Sequence, residues 1–233
     1  KHYYEYGNTF AFKPKFILKN GELQLINNQI NSESKFYEYQ KFLPEIKKYD
    51  YFYLKKFKKE KIHFPYLITT LKNAKRNFRI IFLVILIEIL KKNRKKVEKI
   101  ELNLMEVIMK INLKWRLKLF KDKDAIMLLK EILKEFVKFS EKNNFQPVFI
   151  FLPQKDDLRF IQKEHNFLKE FVNDITNITG INYIDIIDEL LKIQDLDTYY
   201  SDNNEYGGHF SKEGNRKVAL IIQKELKKLK ILT

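Results

Sequence analysis

The sequence predicts an α/β fold of the flavodoxin-like type, a three-layer parallel sheet with helices on both faces. We expect it to be incomplete at the N-terminus and to carry a mostly helical insertion. From residue 121 onwards, helical and strand-like patterns alternate, which favours parallel strands joined by right-handed crossovers. The run PVFIFLP at 147–153 is wholly apolar and closed by proline, as expected for a buried parallel strand. These patterns predict one partial α/β domain over 1–233, with the insertion at 27–120 and the C-terminal βα units at 121–233.

The first predicted element is a β-hairpin. Strand-like runs at 15–19 and 22–26 flank Asn20-Gly21. This dipeptide is the strongest short signal for a hairpin, because both residues tolerate the positive φ of a tight turn.

The middle of the chain predicts helices. Residues 27–61 lack clean periodicity and predict a connection with short helical pieces, whereas 64–115 predict longer helices. The run IIFLVILIEIL at 80–90 is interrupted by Glu88 and falls short of the roughly 20 residues that a membrane span needs. It is either a buried helix or strand, or an interfacial helix that contacts lipid between basic flanks.

The second half predicts regular elements in the order helix, strand, helix, strand, helix, helix. They comprise a helix at 122–143 capped by Asp122 or Asp124, the strand at 147–153, a helix at 156–178, a strand at 181–185, a short helix at 186–191 and a final helix from Ser211 to about residue 230. The predicted buried stripe of the final helix comprises Val218, Ala219, Ile222, Leu226 and Leu229. Asp156-Asp157 are interpreted as capping residues at a helix start.

The amino-acid composition limits the classes of ligand that the chain is expected to bind. A net charge of +15 suits nucleic acid, but the cations are mostly lysines spread over every segment, and arginine is scarce. We therefore expect no primary nucleic-acid ligand, and we keep an anionic membrane surface as a candidate partner. The absence of cysteine excludes thiolate sites, and no His or carboxylate cluster has metal-ligand spacing. We predict neither a metal nor a cofactor, and the compartment stays open.

The stretch EYGGHFSKEGNRKVA at 205–219 carries the candidate chemistry. His209 lies before the final helix, where the turn is expected at the carboxyl ends of the strands, the usual place for ligands in an open α/β sheet. Gly207 and Gly208 permit a close backbone approach. Ser211 is a suitable N-cap, and Gly214 inside the first turn predicts tight packing.

The stretch GGHFSKEGNRKVALII resembles the C-terminal block of the SGNH (GDSL-type) hydrolases, and PVFIFLP and INYIDIIDEL resemble the late strands of that family. The resemblance covers about residues 145–230 and implies ester hydrolysis or acyl transfer by a Ser-His-Asp triad. His209 would be the base. The aspartate that usually stands three residues earlier is replaced by Tyr206, so Glu205 or Asp202 would orient the ring.

The Gly-Asp-Ser nucleophile block of that family is missing from this chain. We expect the nucleophilic serine upstream of Lys1, as an N-terminal truncation would leave it, and the fragment alone to be inactive. The implied substrates are acylated small molecules, glycans or lipids. Two alternatives stay open: a catalytically inactive relative, and a module that binds a membrane surface or a partner through the basic amphipathic segment 64–115.

Overall fold

The computed structural model describes residues 13–201 and 207–232 of the chain. The chain divides into two compact units, Lys1–Val97 and Glu98–Thr233. The boundary between them falls within one long helix, Arg94–Leu119. The prediction of an insertion at 27–120 within a single domain stays a prediction.

The first unit begins with the expected hairpin. Strands β1 (Lys15–Lys19) and β2 (Glu22–Ile26) pair in an antiparallel ladder, with Lys19 opposite Glu22. Asn20 and Gly21 both have positive φ, 54° and 83°, which is the backbone that a two-residue hairpin turn requires. The hairpin prediction is confirmed to the residue.

The rest of the first unit is helical. Its helices are α1 (Glu33–Tyr37), α2 (Leu43–Tyr49), α3 (Lys58–Glu60), α4 (Tyr66–Lys72) and α5 (Ala74–Leu90), with a 3₁₀ turn at Tyr39–Lys41 and a π-helical turn at Tyr53–Phe57. Helix α6 (Arg94–Leu119) follows. A small core around Ile30 and Ile46 is covered by Tyr39 and Phe42. The helical prediction for 64–115 is confirmed.

The second unit holds the larger core and the parallel strands. Its elements are α7 (Lys123–Lys142), β3 (Val148–Ile150), α8 (Lys155–Lys163), α9 (Lys169–Thr179), β4 (Asn182–Ile184), α10 (Ile187–Leu191), a 3₁₀ turn at Leu196–Tyr199 and α11 (Lys212–Lys228). Strands β3 and β4 pair in parallel, with Phe149 opposite Tyr183. Core side chains such as Leu158, Ile175 and Ile184 are fully buried.

The flavodoxin-like, three-layer prediction was wrong. Within the described residues, the strands form two sheets of two strands each, β1 with β2 and β3 with β4. The second half of the chain supplies strand patterns at only two places, and the N-terminal strands satisfy each other across the Asn20-Gly21 turn. A parallel pair of three-residue strands is too narrow to form the central layer of a doubly wound sheet.

Two helix predictions also need correction. The predicted helix at 156–178 is two helices, α8 and α9, separated by a break at 164–168. In α11 the residue Ile221 is buried, whereas Ala219, predicted for the buried stripe, is exposed.

The described helices do not include one that combines the length and the apolar character needed to cross a membrane. The run at 80–90 lies within α5, and the side chains of Phe82, Val84, Ile85 and Ile89 are exposed there. The interpretation of this run as a buried helix or strand was therefore wrong.

Candidate functional site

The loop between β3 and α8 builds one side of the candidate site. Helix α8 begins directly after Gln154, whose backbone N–H donates to Asp157 Oδ2 at 2.9 Å. Asp157 thus has the capping role expected from the sequence. The first three helical residues, Lys155, Asp156 and Asp157, are all buried, which is unusual for charged side chains and requires compensating partners.

Arg116 of α6 supplies the compensating charge for the two aspartates. One guanidinium nitrogen, Nη2, donates to Asp156 Oδ2 at 2.6 Å and to Asp157 Oδ1 at 2.9 Å. Burial raises the pKa of the Asp156 carboxyl, and the charge of Arg116 opposes that rise. Burial acts to lower the pKa of Arg116, but the charges of Asp157 and Asp156 raise it overall. The three groups form one buried ion-pair cluster, so removing the cation would leave two buried carboxylates without their partner.

Lys155 ties the start of α8 to two later segments. Its Nζ is fully buried and donates to Asp197 Oδ1 at 2.7 Å, the same oxygen that accepts from Arg159 at 2.9 Å. Its backbone N–H donates to the carbonyl oxygen of Gly207 at 2.8 Å. The glycine turn before His209 is therefore bonded to the loop that follows the carboxyl end of β3.

Gly208 makes a second contact with the same loop. A Cβ atom built at Gly208 would lie 2.9 Å from Gln154 Nε2, closer than side-chain carbons normally approach. The backbone at Gly208 therefore lies so close to Gln154 that a larger residue at position 208 would have to displace the Gln154 side chain. This is the close backbone approach that the paired glycines predicted.

The backbone of His209 is held by a neighbouring serine. Its carbonyl oxygen accepts from the backbone N–H of Ser201 at 2.9 Å and from Ser201 Oγ at 3.1 Å. The next residue, Phe210, forms an isolated bridge with Tyr200, and the two rings lie 4.8 Å apart. The side chain of His209 is exposed, so solvent and a ligand can reach the imidazole while its backbone stays fixed.

Tyr200 packs against the His209 turn from the protein interior. It is buried, and its hydroxyl donates to the carbonyl oxygen of Pro153 at 2.8 Å. Burial raises the pKa of the Tyr200 phenol, and the nearby charges of Asp157 and Asp156 raise it further. Tyr200 is thus a neutral hydrogen-bond donor that fixes the His209 turn to the end of the β3 segment.

The start of α11 behaves as the sequence predicted. Ser211 Oγ accepts from the backbone N–H of Gly214 at 3.1 Å and donates to the carbonyl oxygen of Thr198 at 2.7 Å. A Cβ atom at Gly214 would lie only 2.0 Å from the carbonyl oxygen of Tyr199. Both the N-cap and the tight packing at Gly214 are confirmed.

The other predicted site residues have different outcomes. Asp202 and Glu205, the two candidates for orienting His209, lie outside the described residues. In the second unit, the serine hydroxyls of Ser140, Ser201 and Ser211 donate to the backbone carbonyls of Val137, His209 and Thr198. In the first unit, Ser32 caps α1 and shares a hydrogen bond with Ser34. All five serines therefore have local structural roles.

A cleft of mixed polarity lies beside β4. It has a volume of about 390 Å³ and is lined by Tyr183, Asp185, Asp188, Asn166 and Lys169, and also by isoleucine, leucine and valine side chains. Asp185 Oδ1 accepts from the backbone N–H of Ile187, the first residue of α10, at 2.8 Å. Burial raises the pKa of the Asp185 carboxyl despite that hydrogen bond. Because β3 and β4 are parallel, their carboxyl ends point to the same edge of the sheet.

Arg116, Gln154 and Lys155 are site residues that the sequence did not predict. Arg116 is 40 positions from Asp156 along the chain, and no periodicity links residues so far apart. One signal was present in the sequence: the polar run Gln154 to Asp157 directly follows the apolar run at 147–153, where ligand-edge residues are expected. Interpreting the aspartates only as caps left out their cationic partner.

No protein-family model matches this sequence, and comparisons with curated proteins and with solved structures gave no significant match either.

Proposed function

We propose that this chain carries the general-base part of a serine-type ester hydrolase or acyltransferase, with His209 as the base. The observation that carries the proposal is the attachment of the Gly207-Gly208 turn to Gln154 and Lys155. This attachment holds the backbone that carries the exposed His209 imidazole next to the loop that follows β3.

The chemistry follows from the properties of imidazole. A histidine beside a serine hydroxyl accepts its proton as the oxygen attacks an ester carbonyl, and then returns that proton to the departing alcohol. Such a base must be reachable by substrate and must hold a fixed direction. The exposed ring of His209 meets the first condition, and the bonds from Ser201 to its carbonyl oxygen support the second.

The nucleophile has to come from elsewhere. Ser32 caps α1, Ser34 bonds to Ser32, and the hydroxyls of Ser140, Ser201 and Ser211 donate to backbone carbonyls. The proposal therefore requires a serine from a segment other than these 233 residues, brought to the His209 turn. Asp202 or Glu205 would orient the ring, and the substrate would be an acylated small molecule, glycan or lipid.

A fluorophosphonate probe tests the proposal, because it reacts covalently with serines activated by a neighbouring base. Applied to the complete polypeptide that carries these residues, the probe should label one serine, and peptide mapping should place it outside the five serines of this sequence. The variant His209→Ala should lose the label while its melting temperature stays unchanged.

His165→Ala is the matched control. His165 is also exposed in the second unit, and its ring packs edge-on against Phe160 at 5.7 Å. This variant should keep the wild-type level of labelling. Full labelling of His209→Ala, or no labelled serine in the wild-type protein, would contradict a base role for His209.

A further inference from the structure

Within the described residues, helix α5 has an apolar face that is exposed. Phe78, Phe82, Ile85 and Ile89 follow one another at spacings of four, three and four residues, which places them on one side of an α-helix. Between 50% and 68% of each of these four side chains is exposed. At about 1.5 Å per residue, the face is roughly 16 Å long. An exposed apolar patch of this kind marks an interaction surface.

The preceding helix enlarges the apolar surface of the first unit. Large side chains on and just before α4 are also more than half exposed, namely Phe64, Tyr66, Leu67, Ile68 and Leu71. Helix α5 follows α4 almost without interruption, and the two are joined where Asn77 Nδ2 donates to the carbonyl oxygen of Thr70 at 3.0 Å. Aromatic and aliphatic side chains are thus presented to solvent over both helices.

Cations flank the apolar face of α5 at both of its ends. Exposed Lys72, Lys75 and Arg79 lie near its start, and exposed Lys91 and Lys92 follow its end. Residues 61–97 hold ten lysines and arginines and one acidic residue, Glu88. The flanks therefore match a partner that is apolar inside and negatively charged at its surface.

We propose that α5, with α4, docks on an anionic lipid surface. The apolar face would enter the boundary between headgroups and acyl chains, while the flanking cations contact anionic headgroups. This inference stands apart from the hydrolase proposal, because it rests on other residues.

Other occupants fit the charge pattern less well. A second copy of this chain, packed antiparallel on the same face, would bring the cations at the start of one α5 against those at the end of the other. Such like-charge contacts oppose association. Nucleic acid would engage the cations but would leave the apolar face in water.

Vesicle sedimentation tests the proposal with the full chain. We expect binding to vesicles of phosphatidylcholine with phosphatidylglycerol, little binding to phosphatidylcholine alone, and strong weakening of binding at ~1 M salt, where the screening length falls to about 3 Å. The double variant Lys91→Glu/Lys92→Glu should bind at least ~25-fold more weakly, because each lysine near an anionic surface changes partitioning by about fivefold.

Each variant has a matched control on the second unit. Lys227→Glu/Lys228→Glu alters another exposed lysine pair at the end of α11, where Lys228 pairs with Glu225 as Lys91 pairs with Glu88. For the apolar face, Phe82→Ser/Ile89→Ser should reduce binding at least tenfold. Its control, Phe139→Ser/Met127→Ser, replaces side chains that are 57% and 50% exposed on α7 and should bind like the wild type.

Three results would overturn the lipid assignment. The first is equal binding to neutral and anionic vesicles, and the second is an equal loss of binding in a variant and its control. The third is a chain that does not bind vesicles but forms dimers, with the variant Phe82→Ser/Ile89→Ser remaining monomeric. That result would assign the face to a second copy.

Discussion

Helices α5 and α11 both have 17 residues, but they differ in how far the rest of the protein buries their apolar side chains. Helix α11 alternates charged and apolar residues, and its apolar stripe is buried at Val218 and Ile221. Helix α5 is apolar around most of its circumference, yet among its residues only the polar Asn77 is buried. The more hydrophobic helix is therefore the less covered one.

An apolar pattern alone does not establish whether the protein covers a helix. A stripe with helical spacing shows that one face must be shielded from water. Whether the protein itself covers that face depends on the width of the apolar stripe and on how many core side chains can pack against it. In α11 the stripe matches the core of the second unit, whereas the buried core cluster described in the first unit consists of Ile30 and Ile46 with two aromatic neighbours.

The largest expected difference between the helices concerns two isoleucines. Ile221→Ala should lower the free energy of unfolding by about 3 kcal/mol, because it removes a side chain that is only 6% exposed and leaves a cavity. Ile85→Ala should change it by no more than about 0.5 kcal/mol, because half of that side chain already contacts solvent. Urea denaturation of both variants measures the contrast, and similar losses would show that both helices are covered by the protein.

Gly214→Ala should have a smaller effect on the free energy of unfolding, and the sign of that effect tests how tightly α11 packs. Helix propensity alone would make alanine more stable by about 1 kcal/mol. The added Cβ would lie 2.0 Å from the carbonyl oxygen of Tyr199, and such overpacking costs about 1–3 kcal/mol. We expect a net loss of about 1 kcal/mol, the difference between these two effects, by thermal or urea denaturation. A more stable variant would show that α11 is not held tightly against the Tyr199 turn.

A pH-dependent difference is expected at Asp185, which follows β4, a strand that contacts α11. Burial raises its pKa above the ordinary value of 3.8, so the folded state holds the proton more tightly than the unfolded chain does. Its contribution to stability is complete below that ordinary value and is lost as pH rises through the raised one. Asp185→Asn, which can keep the acceptor for Ile187, should therefore gain stability relative to wild type as pH rises.

Denaturant melts of Asp185→Asn and wild type at about pH 3.5 and about pH 7 measure this difference. The two proteins should be nearly equal in acid, and the variant should be the more stable one at neutral pH. A difference that does not depend on pH would contradict burial of the charged carboxylate.

Local elements could be predicted from the sequence because their causes are local. Asn20-Gly21 specified the hairpin and its register, and Asp122 was found at the N-cap of α7, where its Oδ1 accepts from the N–H groups of Asp124 and Ala125. The number of strands in a sheet is not local. The alternating pattern of the second half suggested a wide parallel sheet, but in the described structure its two strands pair only with each other.

The candidate site was predictable in part for the same reason. The glycines and Ser211 near His209 act within a few residues of one another, so their roles followed from the sequence. The contacts that hold the turn in place involve residues that are distant in the sequence. Lys155 bonds to Gly207, and Arg116 pairs with Asp156 and Asp157 at the start of the same helix as Lys155. Such contacts depend on packing between elements that periodicity does not reveal.

The most direct test of the contrast between the helices places one tryptophan on each. With Trp115 replaced by phenylalanine, Ile85→Trp reports on α5 and Leu220→Trp on α11, at positions that are 50% and 48% exposed. With anionic vesicles containing brominated lipid, the tryptophan at position 85 should shift its emission to the blue and be quenched, and the one at position 220 should not change. Equal responses at both positions, or an indole at position 85 that is already shielded without vesicles, would contradict the account.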